Sequence, residues 1–203
     1  MEEPKLLLEI HNDDAALLAA WYAVAYDLQH VIAATKLLVG LLHQAERDET
    51  VVRSLWSSAL VSYVRCFGSG RRARLDVVIY GQLQGDPIGT HQYYKDTRDK
   101  HIAHPVNAFE EVRVGLLTDD SGAAVGMGHL ATFRISDSLE GVAQLGALAT
   151  EAMRHVVGVI QPLEASIIAC AKDNPELVAS LRPLRIQPQG GGDAARTPRA
   201  GHG

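Results

Sequence analysis

The sequence predicts a mainly α-helical fold with one β-hairpin inserted near residues 111–135, and three observations carry that reading. Aromatic residues are only 5% of the chain, while Ala, Leu and Val supply most of its 47% apolar content, a mixture that close-packed helices favour over strands. Long apolar stretches recur at helical spacing behind acidic or Asn and Ser starts. Only between residues 111 and 135 does the pattern turn to alternation around a turn sequence. A chain of 203 residues suits one domain, read as 1–181, with a polar Gly/Pro-rich tail over 182–203 that is expected to be disordered.

Each element follows from its own residues. Asn12, Asp13 and Asp14 offer a cap and first-turn acids for a long helix that should end near Arg47. That helix is apolar on most faces, so it is expected to be central or to cover a partner. A second helix, about 48–67, repeats the design, with Val52, Leu55, Trp56, Leu60, Val64 and Phe67 at helical spacing. The run LDVVIY at 75–80 reads equally as a short strand or a short helix. Thr90 is placed to cap a third helix from His91 to about Ala103, which Pro105 would stop, because proline pushes the preceding residue out of the helical region. Val112, Val114 and Leu116 alternate, TDDSG is a turn, and AVGMGHLATFRI can return as the second strand. Such a hairpin is marginal alone and is expected to lean on helices. Ser136 or Asp137 should then cap a final long helix that Pro162 kinks or splits.

Composition narrows the function. The N-terminus shows no cationic, apolar leader, and no apolar run reaches the roughly 18 uninterrupted residues of a membrane span, so the chain reads as cytoplasmic with no membrane partner. Cys66 and Cys170 are too few for a disulfide framework. A net charge of −5 offers no global attraction to nucleic acid, but Arg65, Arg71, Arg72 and Arg74, followed by Lys95, Arg98 and Lys100, form local basic clusters.

The richest chemistry lies in TRDKHIAHP, residues 97–105. Arg98 and His104 would point about 240° apart on an ideal helix, but Pro105 favours an extended His104 that can swing back towards Arg98. Such a pair suits metal-independent RNA cleavage. Histidine can take the proton of a 2′-hydroxyl near neutral pH, and an arginine fork can neutralise charge growing on the phosphate oxygens. Asp99 could orient either group. One such pair supplies one acid or base only, so two pairs facing each other across a dimer would complete the reaction.

An arginine, a polar residue and then a histidine after a short gap resemble the signature of HEPN domains, met here by Arg98, Asp99 and His104. The phrases ALVSYVRCFGSGRRARL and YYKDTRDKHIAHPVNAFE are similar to the HEPN-like family of abortive-infection phage defence, most clearly over about 48–115. The resemblance implies a helical bundle, a homodimer, and a metal-independent endoribonuclease of the toxin–antitoxin or phage-defence kind, with RNA as substrate and an antitoxin protein as partner. It implies Arg98, Asp99 and His104 as catalytic residues, with no cofactor and no metal. Arg65, Arg71, Arg72, Tyr94, Lys95 and His101 would bind the substrate. The same family implies a second reading, a catalytically silent module that binds RNA, a nucleotide or a protein.

Plainer readings stand beside these. Lys95, Asp96, Arg98 and Asp99 could be a solvated helix face with His104 near its C-terminus. His101 and His104 form an HxxH pair for which only His91 or His129 could supply a third ligand. Cys66 reads as a small buried hydrophobe and Arg65 as a structural cation paired with Asp96 or Glu110. GSGRRAR lacks the ending of a nucleotide-binding phosphate loop. Tyr93 and Tyr94 could stack on bases, although at least one should line the core.

Overall fold

The computed structural model describes residues 6–68, 73–102 and 110–185, without the side chain of His101. It is mainly helical with one two-stranded hairpin, as the sequence predicts. The helices are α1 (Asp13–Leu42), α2 (Glu49–Arg65), α3 (Pro87–Thr97), α4 (Leu139–Asp173) and α5 (Pro175–Ser180), with strands β1 (Glu111–Thr118) and β2 (Ala124–Thr132) between α3 and α4.

The two long helices form the spine. Tyr22 meets Glu164 and Thr35 meets Gly146, so α1 and α4 run antiparallel. Val24, Leu28, Val31 and Leu38 face Val142, Leu145, Ala149, Ala152 and Val156 in one buried core. Each such Val or Leu contributes about 1.5–3 kcal/mol when fully buried. Gly146 sets their approach: a Cβ there would lie 2.8 Å from Thr35 Oγ1, which is itself held by the Val31 carbonyl at 2.8 Å. α2 packs on α1 with Val52, Trp56, Ala59, Leu60 and Tyr63, and α3 lies antiparallel to α2, with Tyr94 edge-on to Trp56 and His91 beside Tyr63 and Phe67.

Local chemistry moves several boundaries from their expected places. α1 stops at Leu42, not near Arg47, because Asp48 caps α2 through Thr50 N and Val51 N and residues 43–47 must make the turn. LDVVIY has no strand to pair with among the described residues; Asp76 caps a single 3₁₀ turn, Val77–Tyr80, that buries Tyr80. α3 starts at Pro87, ahead of His91, since Asp86 caps it and Pro87 occupies a first-turn position where no N–H is needed. Thr90 bonds back to the Asp86 carbonyl instead of capping. Ser138, rather than Ser136 or Asp137, caps α4. Pro162 sits inside α4 without splitting it: the carbonyl it deprives of a donor belongs to exposed Gly158, where water can reach it.

Two larger corrections remain. Among the described residues the hairpin has no extensive packing on the helices; its strands pack on each other, and every strand residue except Gly128 is exposed. Its turn is built by Asp119, whose carboxylate accepts from Ser121 N, Ser121 Oγ and Ala123 N, with Gly122 at φ +83°. The chain from Arg182 is not all tail. Leu8 bridges Pro183, Glu9 N donates to Arg182 O and Leu184 N donates to Leu7 O, both at 2.8 Å, while residues 186–203 lie outside the described residues.

Candidate functional site at the end of α3

α3 presents two chemical faces. Its inner face, His91, Tyr94 and Thr97, is buried, while Lys95, Asp96 and then Arg98 and Asp99 lie outward. Directly after Thr97 the helix widens into a π-turn, Arg98–Ile102, with Ile102 still packed against the core. Single π-turns in helices recur at functional sites because the wider ring re-aims its side chains.

Around that turn, one carboxylate serves two cations. Arg98 Nη1 lies 2.8 Å from Asp99 Oδ1, and Lys95 Nζ lies 3.4 Å from Asp99 Oδ2. The Arg98 hydrogen bond, and then Lys95, hold the Asp99 carboxyl below its usual range. Arg98 and Asp99 remain 37% and 38% exposed, so this is a surface ion pair worth about 0–1 kcal/mol. Asp96 is occupied separately by Lys100 at 3.6 Å and Gln92 Nε2 at 2.9 Å.

The structure therefore gathers Lys95, Arg98 and Asp99 on one exposed turn. His104, Arg71 and Arg72 lie outside the described residues, as does the side chain of His101. Tyr94 corrects its sequence reading: it is fully buried, its hydroxyl donates to the Gly141 carbonyl at 2.6 Å, and it offers no face to a base. Tyr93 is the exposed member of the pair. Arg65 is also placed elsewhere than expected. Its guanidinium makes a bidentate pair with Asp27 of α1, which is almost fully buried, while Asp96 and Glu110 are taken by Lys100 and Arg53. This ion pair is structural, as the sequence suggests, but its partner is 38 residues away in the chain. Arg65 is thus committed to holding α2 on α1. Cys66 is buried, as expected.

No family model, curated protein or solved structure matches the chain. The geometry of the residues must carry the functional reading on its own. Among the described residues, no group of three or more His, Cys, Asp or Glu side chains is placed to hold a metal ion.

Two polar arrangements escaped the sequence reading. Beside the N-terminus of α4, Arg134 Nη2 donates to Tyr93 Oη at 2.8 Å and to Asp137 Oδ1 at 2.7 Å, and Tyr93 Oη donates to Asp137 Oδ2 at 2.8 Å. Tyr93 and Asp137 of this triad border a shallow cleft of about 250 Å³ lined also by Ser138, Glu140 and Gln144. Arg134 and Asp137, three apart ahead of a helix, were the available signal.

The second arrangement is interior. Tyr80 Oη donates to the Leu148 carbonyl at 3.2 Å and Tyr63 Oη donates to Tyr80 Oη at 3.1 Å. Tyr63 Oη also lies 3.0 Å from His91 Nδ1. With the Tyr63 proton committed to Tyr80, only an Nδ1–H on His91 satisfies the last contact, which fixes the neutral tautomer. Burial, and then the charge on Lys95, lower the His91 pKa, favouring that neutral form.

Proposed function

We propose that this protein is a HEPN-type, metal-independent endoribonuclease acting as a homodimer in phage defence or a toxin–antitoxin response. One observation supports the reading above others: Lys95 in the last turn of α3 and Arg98 at the start of the π-turn stand on one exposed side, tied down by a single shared carboxylate. Those three groups carry a net charge of +1, two cations and one carboxylate. The pair to Asp99 is weak enough for a phosphate to displace it, and a phosphodiester offers Arg98 a bidentate partner of the same geometry. In this reading Arg98 stabilises the charge that grows on the non-bridging oxygens, His104 moves the proton of the 2′-hydroxyl, and Asp99 positions the arginine. RNA is the substrate and an antitoxin protein the natural restraint.

The test is cleavage of a cellular RNA pool in excess EDTA by wild type, Arg98→Ala and His104→Ala at matched folding. Cleavage leaving 2′,3′-cyclic phosphate ends, with both variants dead, is the expected result. A second reading, a silent RNA-binding module, draws on the same ion pair, because holding a phosphate needs only the two cations, Arg98 and Lys95. Wild type that shifts the anisotropy of a labelled RNA, loses that shift in Arg98→Ala, and never cuts would establish the second reading over the first.

A further inference from the structure

α2 uses its arginines in two ways. Arg65, at its C-terminal end, holds Asp27 through both Nε and Nη2, and Asp27 is almost fully buried. Arg53, near the other end, gives Glu110 a single hydrogen bond among the described residues, Nη2 to Oε1 at 3.1 Å, and the two side chains are 55% and 29% exposed. A guanidinium carries five N–H donors in a fixed fork, so Arg53 leaves most of its fork unused. Arg98 does the same, giving Asp99 one hydrogen bond through Nη1. An exposed pair of this kind is worth about 0–1 kcal/mol, so the fold has little need of Arg53.

Arg53 stands beside the π-turn. Trp56 of α2 meets Tyr94 of α3 edge-on, with ring centroids 6.1 Å apart. Arg53 lies one turn before Trp56 and Arg98 one turn after Tyr94. Because the two helices run antiparallel, both arginines leave that contact in the same direction, and α2 packs on the π-turn as well as on α3. Helical rotation puts them on facing flanks. Arg53 is about 120–140° round from Arg65 and Ser58, which face α1, and Lys95 and Arg98 are about 140–160° round from Tyr93, which faces α4. The groove between the helices therefore carries Arg53 on one wall and Lys95 and Arg98 on the other, over a floor of buried Trp56 and Tyr94. With Asp99 and Glu110, the carboxylates bonded to them, these five groups leave a net charge of +1.

We infer that Arg53 is a phosphate-binding residue of the same site, and that the groove between α2 and α3 takes two successive phosphodiesters of one RNA strand, the first on Arg98 and the next on Arg53. The inference rests on the reading of Arg98 as an RNA-phosphate ligand, whether or not the strand is then cut. Each arginine exchanges one weak carboxylate contact for a bidentate phosphate, and Lys95 adds a point charge beside Arg98. Packed helices lie about 8–10 Å apart, a gap that side chains from both walls can share around one bound strand. Arg65 takes no part, because its fork is already filled by a buried acid.

The experiment is fluorescence anisotropy of a labelled single strand of about eight nucleotides, titrated with the full chain over a salt series. Its 2′-hydroxyls are methylated, so it binds without being cut by its own 2′-oxygen. Wild type is compared with Arg53→Ala, Arg98→Ala and Glu110→Gln, each checked by thermal unfolding. Arg53→Ala should weaken binding roughly tenfold at low salt and flatten the slope of log affinity against log salt by about 0.7, the share of one phosphate. Glu110→Gln should keep the slope and bind at least as well, because it removes the acid and leaves the cation. Equal loss in Arg53→Ala and Glu110→Gln with an unchanged slope would make the pair structural and overturn the inference. Arg53→Ala that binds like wild type while Arg98→Ala is weakened would also overturn it, and would leave the reading of Arg98 standing. A wild type that binds no RNA at any salt would remove both. Should Arg53→Ala fail to fold, Arg53→Gln replaces it under the same criteria.

Discussion

On the inner face of α3, His91 and Tyr94 turn onto Tyr63, Tyr80 and Trp56, and the polar atoms that join them find partners inside the bundle. On its outer face and the π-turn that follows, Lys95, Arg98 and Asp99 face outward and, among the described residues, hold one another. The same helix thus carries a fixed polar relay and a displaceable one. Burial makes the difference: inside, an unmet hydrogen bond costs its full desolvation, whereas at the surface water replaces any partner that leaves. Stability should therefore reside in the inner face of α3 and chemistry in the outer one.

The strongest way to break that division is to empty the interior. Tyr80→Ala removes a fully buried ring and the middle of the relay, and should cost about 3–5 kcal/mol in denaturant unfolding. Tyr63→Phe keeps the volume and removes one oxygen, leaving His91 Nδ1–H unmet; about 1–3 kcal/mol is expected. An unchanged midpoint for Tyr63→Phe would show that water reaches the relay, and the contrast with the surface would collapse.

A pH series sharpens the comparison with a smaller effect. The folded state lowers the His91 pKa, so unfolding takes up a proton at this site once the pH drops below the unfolded value of about 6.5. Stability from this group is fully present above that pH and is lost as pH falls towards the folded pKa, by at most about 1.4 kcal/mol per unit. The measurement is the difference between wild type and His91→Gln, which isolates this one group. The wild-type curve should fall more steeply below pH 6.5; parallel curves would contradict a buried neutral His91.

Much of this contrast could be read from the sequence, and the limits have physical causes. Helical spacing of Val52, Trp56 and Leu60 located α2, and alternation of Val112, Val114 and Leu116 located the hairpin, because periodicity is a local property. Caps were less legible: Asp86 and Thr90, or Asp137 and Ser138, are all competent, and the choice depends on where the neighbouring helix lets the chain enter. Partners distant in sequence were not legible. Arg65 could have met any of several acids, and only the antiparallel placement of α2 on α1 selects Asp27. The relay from His91 to Leu148 joins four segments that no spacing rule connects. At the site, the cluster of Lys95, Arg98 and Asp99 was visible because one turn of helix suffices to bring them together.

The smallest stability change should accompany the largest functional one. Arg98→Ala removes a half-exposed cation from a surface pair, so unfolding should move by no more than about 0.5 kcal/mol, and Asp99→Asn by a similar amount. The two substitutions act oppositely on an anion, however. Arg98→Ala deletes the fork that would hold a phosphodiester, whereas Asp99→Asn removes the carboxylate that competes for it. RNA affinity should therefore fall in Arg98→Ala and rise or hold in Asp99→Asn, with both shifts shrinking as salt is raised. If Asp99 is needed to position the arginine for reaction, Asp99→Asn should bind at least as well as wild type and cut more slowly. Equal loss of binding in both variants would mean that the pair is a structural unit, and the division between the two faces of α3 would not hold.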